Sequence, residues 1–204
     1  MNTQAKMRKI VEQIAETDSR FTPIIENSEL CDLGIYQPKS SHFESLVSSV
    51  ISQQLATAAA RTINGRFKAA VGKVTPKNIA RLSDAELRAV GLSAAKAKTI
   101  RGLATAANDK EINFNKLHEE EDEYLYSKLT SLWGIGPWTV DMFMMFQLGR
   151  LDIWPTGDLG VRRGWERIHR LKSEITPIDL EKRGDKFRPH RSVVAWYCWR
   201  AIDN

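Results

Sequence analysis

The sequence predicts an all-α fold, and three observations lead to it. Apolar residues recur at helical spacing in one stretch after another, while no stretch shows the strict alternation of a half-buried strand. Helix-start residues and helix-stop glycines fall at the edges of those stretches. Between Leu132 and Pro137, two helical stretches are joined by Gly134-Ile135-Gly136, a tight turn with glycine at both corners, which makes a helix–hairpin–helix. No segment repeats at a fixed period and none is of low complexity.

The elements follow in order. Thr3 to Thr17 is an amphipathic helix with Met7, Ile10, Val11 and Ile14 as its apolar stripe. Asp18 to Ser41, with Pro23 and Pro38, reads as a linker-like segment that wraps the core. Ser40 or Ser41 caps the next helix, and Glu44 is placed for a capping box. That helix carries Phe43, Leu46, Val47, Val50 and Ile51 and ends near Gln53-Gln54. Leu55 to Phe67 is an alanine-rich helix whose Arg61 and Arg66 face solvent. Thr75-Pro76 opens a short helix. Ser83-Asp84-Ala85-Glu86 is a capping box for another that stops at Gly91, and Ser93 starts the lysine-rich helix Ala94 to Ala107. The acidic run Glu119 to Glu123 precedes a helix N-terminus, where acids are favoured, and is read as a solvated feature away from any nucleic acid.

Tyr124 to Leu132 is the helix that enters the hairpin. Pro137 to Leu148 leaves it and is apolar nearly all round, which predicts a buried helix. Gly149 stops it. Trp154-Pro155-Thr156-Gly157 is a turn, and Asp158 caps the helix Leu159 to His169. Ile175-Thr176-Pro177 starts another helix. Phe187 to Ser192 leads into a last aromatic helix, Val193 to Arg200, in which Trp196 and Tyr197 are read as core. The bare amides of the hairpin turn and the positive end of the helix that follows point outward together, a ready seat for phosphate.

Composition narrows the classes further. The chain has 204 residues, enough for one or two domains with a real core, and 42% hydrophobic with 27% charged residues is ordinary for a soluble globular protein. A net charge of +5 permits nucleic-acid binding without showing it. The 2 cysteines, Cys31 and Cys198, supply no disulfide framework, no metal quartet and no iron–sulfur cluster, and are read as core thiols in a reducing compartment. No apolar leader and no bilayer-spanning stretch is evident, so the expected location is the cytoplasm, with the nucleoid in a bacterium, or the nucleus in a eukaryote.

Leu132-Trp133-Gly134-Ile135-Gly136, then Trp138-Thr139, then Pro155 to Arg163 around Asp158, resemble in their order the helix–hairpin–helix DNA glycosylase superfamily and, within it, the DNA-3-methyladenine glycosylase II type. The resemblance runs from about Phe43 to Arg200, and Gly91-Leu92-Ser93 followed by Lys96 also matches. It implies the multi-helix glycosylase fold in its compact form, without the β-rich N-terminal domain of longer members. A single domain over 1–204 is expected, with helical subdomains at about 43–130 and at 1–42 plus 131–204 flanking a cleft. The implied activity is base excision repair: hydrolysis of the N-glycosidic bond of alkylated purines of 3-methyladenine or 7-methylguanine type, after base flipping, by a monomer acting on double-stranded DNA.

The resemblance assigns roles residue by residue. Asp158 is the catalytic carboxylate, Trp138 and Trp199 wall the base pocket, and Gln54 with neighbouring Leu55 forms the wedge that fills the emptied duplex. The amides of Gly134 and Gly136 and the hydroxyl of Thr139 hold phosphate, with Lys96 and Lys98 as further candidates. Arg191-Ser192 matches a Pro-x-Arg-Ser element near the cleft, either as a direct contact or as a buried arginine that organises helix ends. No cofactor and no metal ligands are expected; a monovalent cation on the hairpin carbonyls is a family feature. Where members with lyase activity carry a lysine, Trp138 stands here, so no Schiff base is expected and the enzyme is monofunctional. Gly157 replaces an acidic residue often found there, and Met142 and Leu159 stand where some relatives have tyrosines, which implies a shallower or less aromatic pocket.

Two other readings compete. A non-catalytic DNA-structure-binding protein would use the hairpin as a phosphate clamp alone, and capping by itself would explain Asp158. A glycosylase for oxidised or mismatched bases is disfavoured by the missing lysine and the missing cluster cysteines.

Overall fold

The computed structural model describes residues 3–35 and 38–203. Among them the fold is helical without a strand: α1 (Thr3–Thr17), α2 (Thr22–Glu26), α3 (His42–Ser52), α4 (Thr57–Val71), α5 (Pro76–Ile79), α6 (Asp84–Ala89), α7 (Ala94–Asn108), α8 (Asp122–Thr130), α9 (Pro137–Phe146), α10 (Leu159–His169), α11 (Pro177–Gly184) and α12 (Arg191–Asp203). Short 3-10 turns at Ser19–Phe21, Phe114–Glu119 and Asp185–Phe187 join some of them. The chain forms two compact units, one of Pro38–Phe143 and one built from the segments on either side of it. Among the described residues no helix is long and apolar enough to cross a membrane.

In the Pro38–Phe143 unit, α3 packs against α4 and α7. Its predicted stripe, Phe43, Leu46, Val47, Val50 and Ile51, is buried throughout, with Ile100 and Leu103 of α7 and Phe67 of α4 also in this core. Ser41 caps α3, its Oγ accepting from the Glu44 N–H at 3.2 Å. Glu44 does not complete the expected capping box but reaches to Lys68 Nζ at 2.8 Å. The box at Ser83 and Glu86 is complete. Helix α4 starts at Thr57 rather than Leu55: Leu55 N–H bonds back to Ser52 O at 3.2 Å, so the chain is still in a turn there. The acidic run before α8 is largely exposed.

In the other unit, α10 lies flat against α12. A Cβ on Gly164 would fall on the Cys198 carbonyl, so the two helix backbones touch where glycine removes the side chain. Trp165 and Tyr197 fill the adjoining core. Both cysteines are buried, and burial pushes the Cys31 thiol up to about 12. Asp18 to Ser41 is more than a linker. Its residues 36 and 37 lie outside the described residues, but its start forms a 3-10 turn and α2, too short to carry a periodic signal. Phe21 is wholly buried there, edge-on to Trp165, His169 and Phe187 with ring centroids 5.5–5.9 Å away.

That turn is held by a buried carboxylate. Asp18 accepts from Arg20 Nε at 2.7 Å and Nη2 at 2.8 Å, from Lys186 Nζ at 2.9 Å, and from His169 Nε2 at 3.1 Å. Burial alone would raise its pKa, but the hydrogen bonds from Arg20, Lys186 and His169 outweigh it and hold the carboxyl well below the usual range. A carboxylate depressed in the folded state stabilises the fold above the unfolded carboxyl's pKa, about 3.9, and loses that contribution as the pH falls below it. Asp18→Asn is therefore expected to cost about 1–3 kcal/mol at neutral pH, with the gap to wild type closing below about pH 4. Urea denaturation at pH 7 and pH 3 checks it; a gap equal at both pH values would contradict it.

Candidate active site

Asp158 stands at the end of an anchored turn. Its N–H donates to Pro155 O at 2.9 Å, and the indole of buried Trp154 donates to Leu180 O at 2.9 Å. Asp158 has extended backbone and caps α10, its Oδ1 accepting from the Val161 N–H at 2.8 Å. Capping thus accounts for one contact. It does not account for the second: the same Oδ1 accepts from Trp199 Nε1 at 2.9 Å, across from α12. Two donors converging on one oxygen fix the plane and direction of the carboxylate.

Trp199 was expected as a pocket wall. Its ring stacks on Phe146 with centroids 5.7 Å apart and planes 28° apart, while its N–H holds Asp158. A Cβ on Gly160 would come within 2.8 Å of the Trp199 ring, so the first turn of α10 leaves room for that indole. Phe146 is 51% exposed and Leu159 57% exposed, so this carboxylate lies in a patch of open apolar surface.

The segment that delivers the turn is pinned from α12. Arg191 is buried; its Nε donates to Asp152 Oδ1 at 2.8 Å, its Nη2 to Asp152 O at 2.9 Å, and its Nη1 to Glu181 at 3.2 Å. Ser192 Oγ accepts from the Ile153 N–H at 2.8 Å. Of the two readings of Arg191-Ser192, the geometry gives the organising one: these residues tie residues 152–153 to the start of α12.

The hairpin lies in the Pro38–Phe143 unit. Gly134 has φ +83, and a Cβ there would fall on Thr99 Oγ1 of α7. The fold itself therefore demands glycine at 134. Gly136 differs: a Cβ there would meet nothing within 4 Å. Only something arriving from outside would be obstructed. Buried Ile135 plugs the turn inward, its N–H donating to Leu132 O at 3.1 Å.

Three expectations are corrected here. Helix α9 ends at Phe146 and is not buried all round: Trp138 is 45% exposed, and Trp138, Met142 and Phe146, four residues apart, share its open face. Thr139 does not offer its hydroxyl to phosphate; it is 2% exposed and that hydroxyl accepts from Gln53 Nε2 at 3.1 Å. Lys96 is spent internally, donating to the Ile51 and Gln53 carbonyls at 2.7 Å each, and burial pushes its ammonium below the ordinary value. Lys98 sits 4.2 Å over the exposed Trp133 ring, next to the glycine turn.

Gln54 and Leu55 are both exposed, and Gln54 takes the left-handed conformation, φ +55, uncommon for a residue with a side chain. Trp138 and Met142 line a cleft of about 300 Å³ whose facing wall is Ser45, Ser48, Ser49 and Ser52 of α3. Sequence reasoning missed that serine face, although the four lie at helical spacing. It also missed Gln53, whose partners are more than 80 residues away in sequence and leave no local trace.

Residues 47–189 match the family described as HhH-GPD superfamily base excision DNA repair protein. The chain is 33% identical over 203 residues to DNA-3-methyladenine glycosylase 1 of Schizosaccharomyces pombe, covering 94% of this chain and 89% of that protein. It is similar to the crystal structure of a DNA-3-methyladenine glycosidase from Bacillus halodurans, with TM-score 0.83 and 36% identity over 94% of this chain and 88% of that one. It is similar also to the 3-methyladenine DNA glycosylase of Schizosaccharomyces pombe in complex with abasic DNA, with TM-score 0.82 and 29% identity over 94% and 95% of the two chains. The chain accordingly belongs to the HhH-GPD superfamily of base excision DNA repair proteins and stands among its DNA glycosylases.

Proposed function

We propose that this glycosylase is monofunctional and releases alkylated purines, of the 3-methyladenine and 7-methylguanine type, from double-stranded DNA where the genome is housed. The observation that carries the reading is the carboxylate of Asp158, held by Val161 N–H and Trp199 Nε1 on one oxygen and bordered by exposed apolar surface.

A base must leave the stack to be reached, so the enzyme flips the nucleotide. Gln54 and Leu55, exposed in a turn that projects Gln54 through its left-handed backbone, fill the gap. The outer face of the hairpin, open at Gly136, takes a phosphate on the positive end of α9. Trp138 offers the flipped base a π-face, which attracts a cationic ring more than a neutral one. As the C–N bond lengthens, positive charge builds on the sugar, and the fixed Asp158 carboxylate stabilises it and orients the attacking water. A base alkylated at N3 or N7 leaves as a neutral molecule, so no acid is needed to protonate it.

The hairpin carbonyls suit a monovalent cation: Leu132 O and Gly134 O each accept one hydrogen bond, from Ile135 N and Gln53 Nε2, and a carbonyl has a second lone pair. Such an ion would add positive charge beside the phosphate.

Asp158→Asn keeps an N-cap acceptor and should fold normally. It is expected to lower the single-turnover release of 7-methylguanine from methylated duplex by at least about 100-fold, with binding to abasic-site DNA retained. Equal release by the two proteins would remove Asp158 from the chemistry, and no release by either would favour the binding-protein reading. Trp199→Phe keeps a ring on Phe146 but removes one of the two donors. Excision is expected to fall about tenfold, the worth of one hydrogen bond, while affinity for abasic DNA stays put. For the monofunctional assignment, borohydride added during turnover should trap no protein–DNA adduct; an adduct through a lysine would overturn it.

A further inference from the structure

We propose that Gln53 is a positioning residue: its side-chain amide is the strut that couples the phosphate-gripping hairpin to the wedge turn. The inference rests on the assignment of Gln54 and Leu55 as the wedge and extends it to a residue with no role in that assignment.

The geometry is a closed circuit within the Pro38–Phe143 unit. Gln53 is the residue on which α3 ends, its backbone leaving the helix at φ −50 and ψ 132. Its Nε2 donates to Thr139 Oγ1 at 3.1 Å and to Gly134 O at 3.3 Å. One acceptor is in the hairpin turn and the other in the first turn of α9, so this single amide spans the hairpin. The backbone of Gln53 is held from a third element. Lys96 Nζ of α7 donates to Gln53 O and to Ile51 O, both at 2.7 Å, closing the end of α3 with a charge. Thr99, one helical turn along α7 from Lys96, is the residue that Gly134 packs against. The end of α3, the hairpin and α7 are thus tied pairwise.

The next residue is the one that needs such a frame. Gln54 adopts φ +55, a conformation that costs a residue with a Cβ about 1 kcal/mol or more and persists only where its surroundings impose it. With residue 53 fixed at both its carbonyl and its side chain, the chain has one way to turn before Leu55, whose N–H closes on Ser52 O at 3.2 Å. The same strut fixes Thr139 and Gly134. A hairpin seated on its phosphate thereby sets where the wedge tip stands, and the pull of either on DNA is transmitted to the other.

A polar residue that merely filled a loop would leave wedge function alone. A strut would not, and the two differ in which DNA they affect. The full chain is tested as Gln53→Ala, Gln54→Ala, their double variant, and Thr139→Val, which keeps the shape of the buried threonine and removes the acceptor. Fluorescence anisotropy gives affinity for an abasic-site duplex, where the wedge is inserted, and for the undamaged duplex, where it is not. Gln53→Ala and Thr139→Val are each expected to weaken abasic-site binding about five- to tenfold, with less than about twofold change on undamaged duplex. The double variant should bind like Gln54→Ala alone, because a misplaced wedge and an absent one fail alike. Thermal denaturation identifies any variant that does not fold, and Thr139→Val then decides. Full effect in Gln54→Ala with none in Gln53→Ala or Thr139→Val overturns the strut and leaves the wedge standing. Equal losses on both duplexes also overturn it, since they mean a damaged hairpin. A silent Gln54→Ala removes the wedge and the strut together.

Discussion

One oxygen atom with two donors organises the part of this molecule on which the proposed chemistry rests. Asp158 Oδ1 receives the Val161 amide at 2.8 Å and the Trp199 indole at 2.9 Å. The first bond belongs to helix α10 and the second to helix α12, so the carboxylate is oriented by the packing of those helices, not by its own rotamer preference. That packing is as close as backbone permits, with Gly164 against the Cys198 carbonyl. A carboxylate meant to meet a short-lived charge must already point at it, because reorientation during the reaction would forfeit the benefit. Helix capping supplies half of this rigidity and the Trp199 indole the other half, so a structural aspartate is also fit for the proposed chemistry.

The rest of that unit reads as support for the arrangement. Trp199 can reach Asp158 because residue 160 has no side chain. The turn before Asp158 is anchored through Trp154 to α11, and the segment before that through Asp152 and Ile153 to Arg191 and Ser192. Buried Arg191 is matched by carboxylates and a carbonyl, so its desolvation is offset by charged hydrogen bonds.

Much of this was legible in the residues themselves. The apolar stripe of α1 and the stripe of α3 are buried as their periodicity requires, and Ser41, Ser83 and Thr176 cap the helices they precede. What was not legible has two physical sources. Burial of an all-apolar helix was inferred for α9, yet Trp138 and Phe146 stay open, because periodicity reports where a residue faces and not what covers that face. The other source is long-range pairing. Lys96 looked like a phosphate ligand and Thr139 like a hydroxyl donor, but each is turned inward by partners dozens of residues away, at the C-terminal end of α3. A lysine turned to solvent and one turned inward are written with the same letter. Within the motif region, Gly134 and Gly136 also proved unlike: one is required by Thr99, the other by nothing inside the protein.

The open aromatic faces bear on how such an enzyme chooses its substrate. A half-exposed Trp138 can stack any base, and a cationic base gains about 1–2 kcal/mol more than a neutral one from the indole face, roughly a 5- to 30-fold preference. The serine wall of α3 opposite Trp138 is polar, and the Glu44 that lines the same cleft is paired with Lys68 at 2.8 Å. Undamaged purines outnumber lesions by about a million or more in a genome, so recognition of the ring cannot carry the discrimination. The proposed chemistry can. A neutral purine is a poor leaving group unless it is protonated, and the mechanism assigned to Asp158 includes no acid to protonate it. An alkylated purine brings its own positive charge and needs none. On this reasoning recognition of the ring can stay permissive, because the bond that the proposed chemistry can break is selective already.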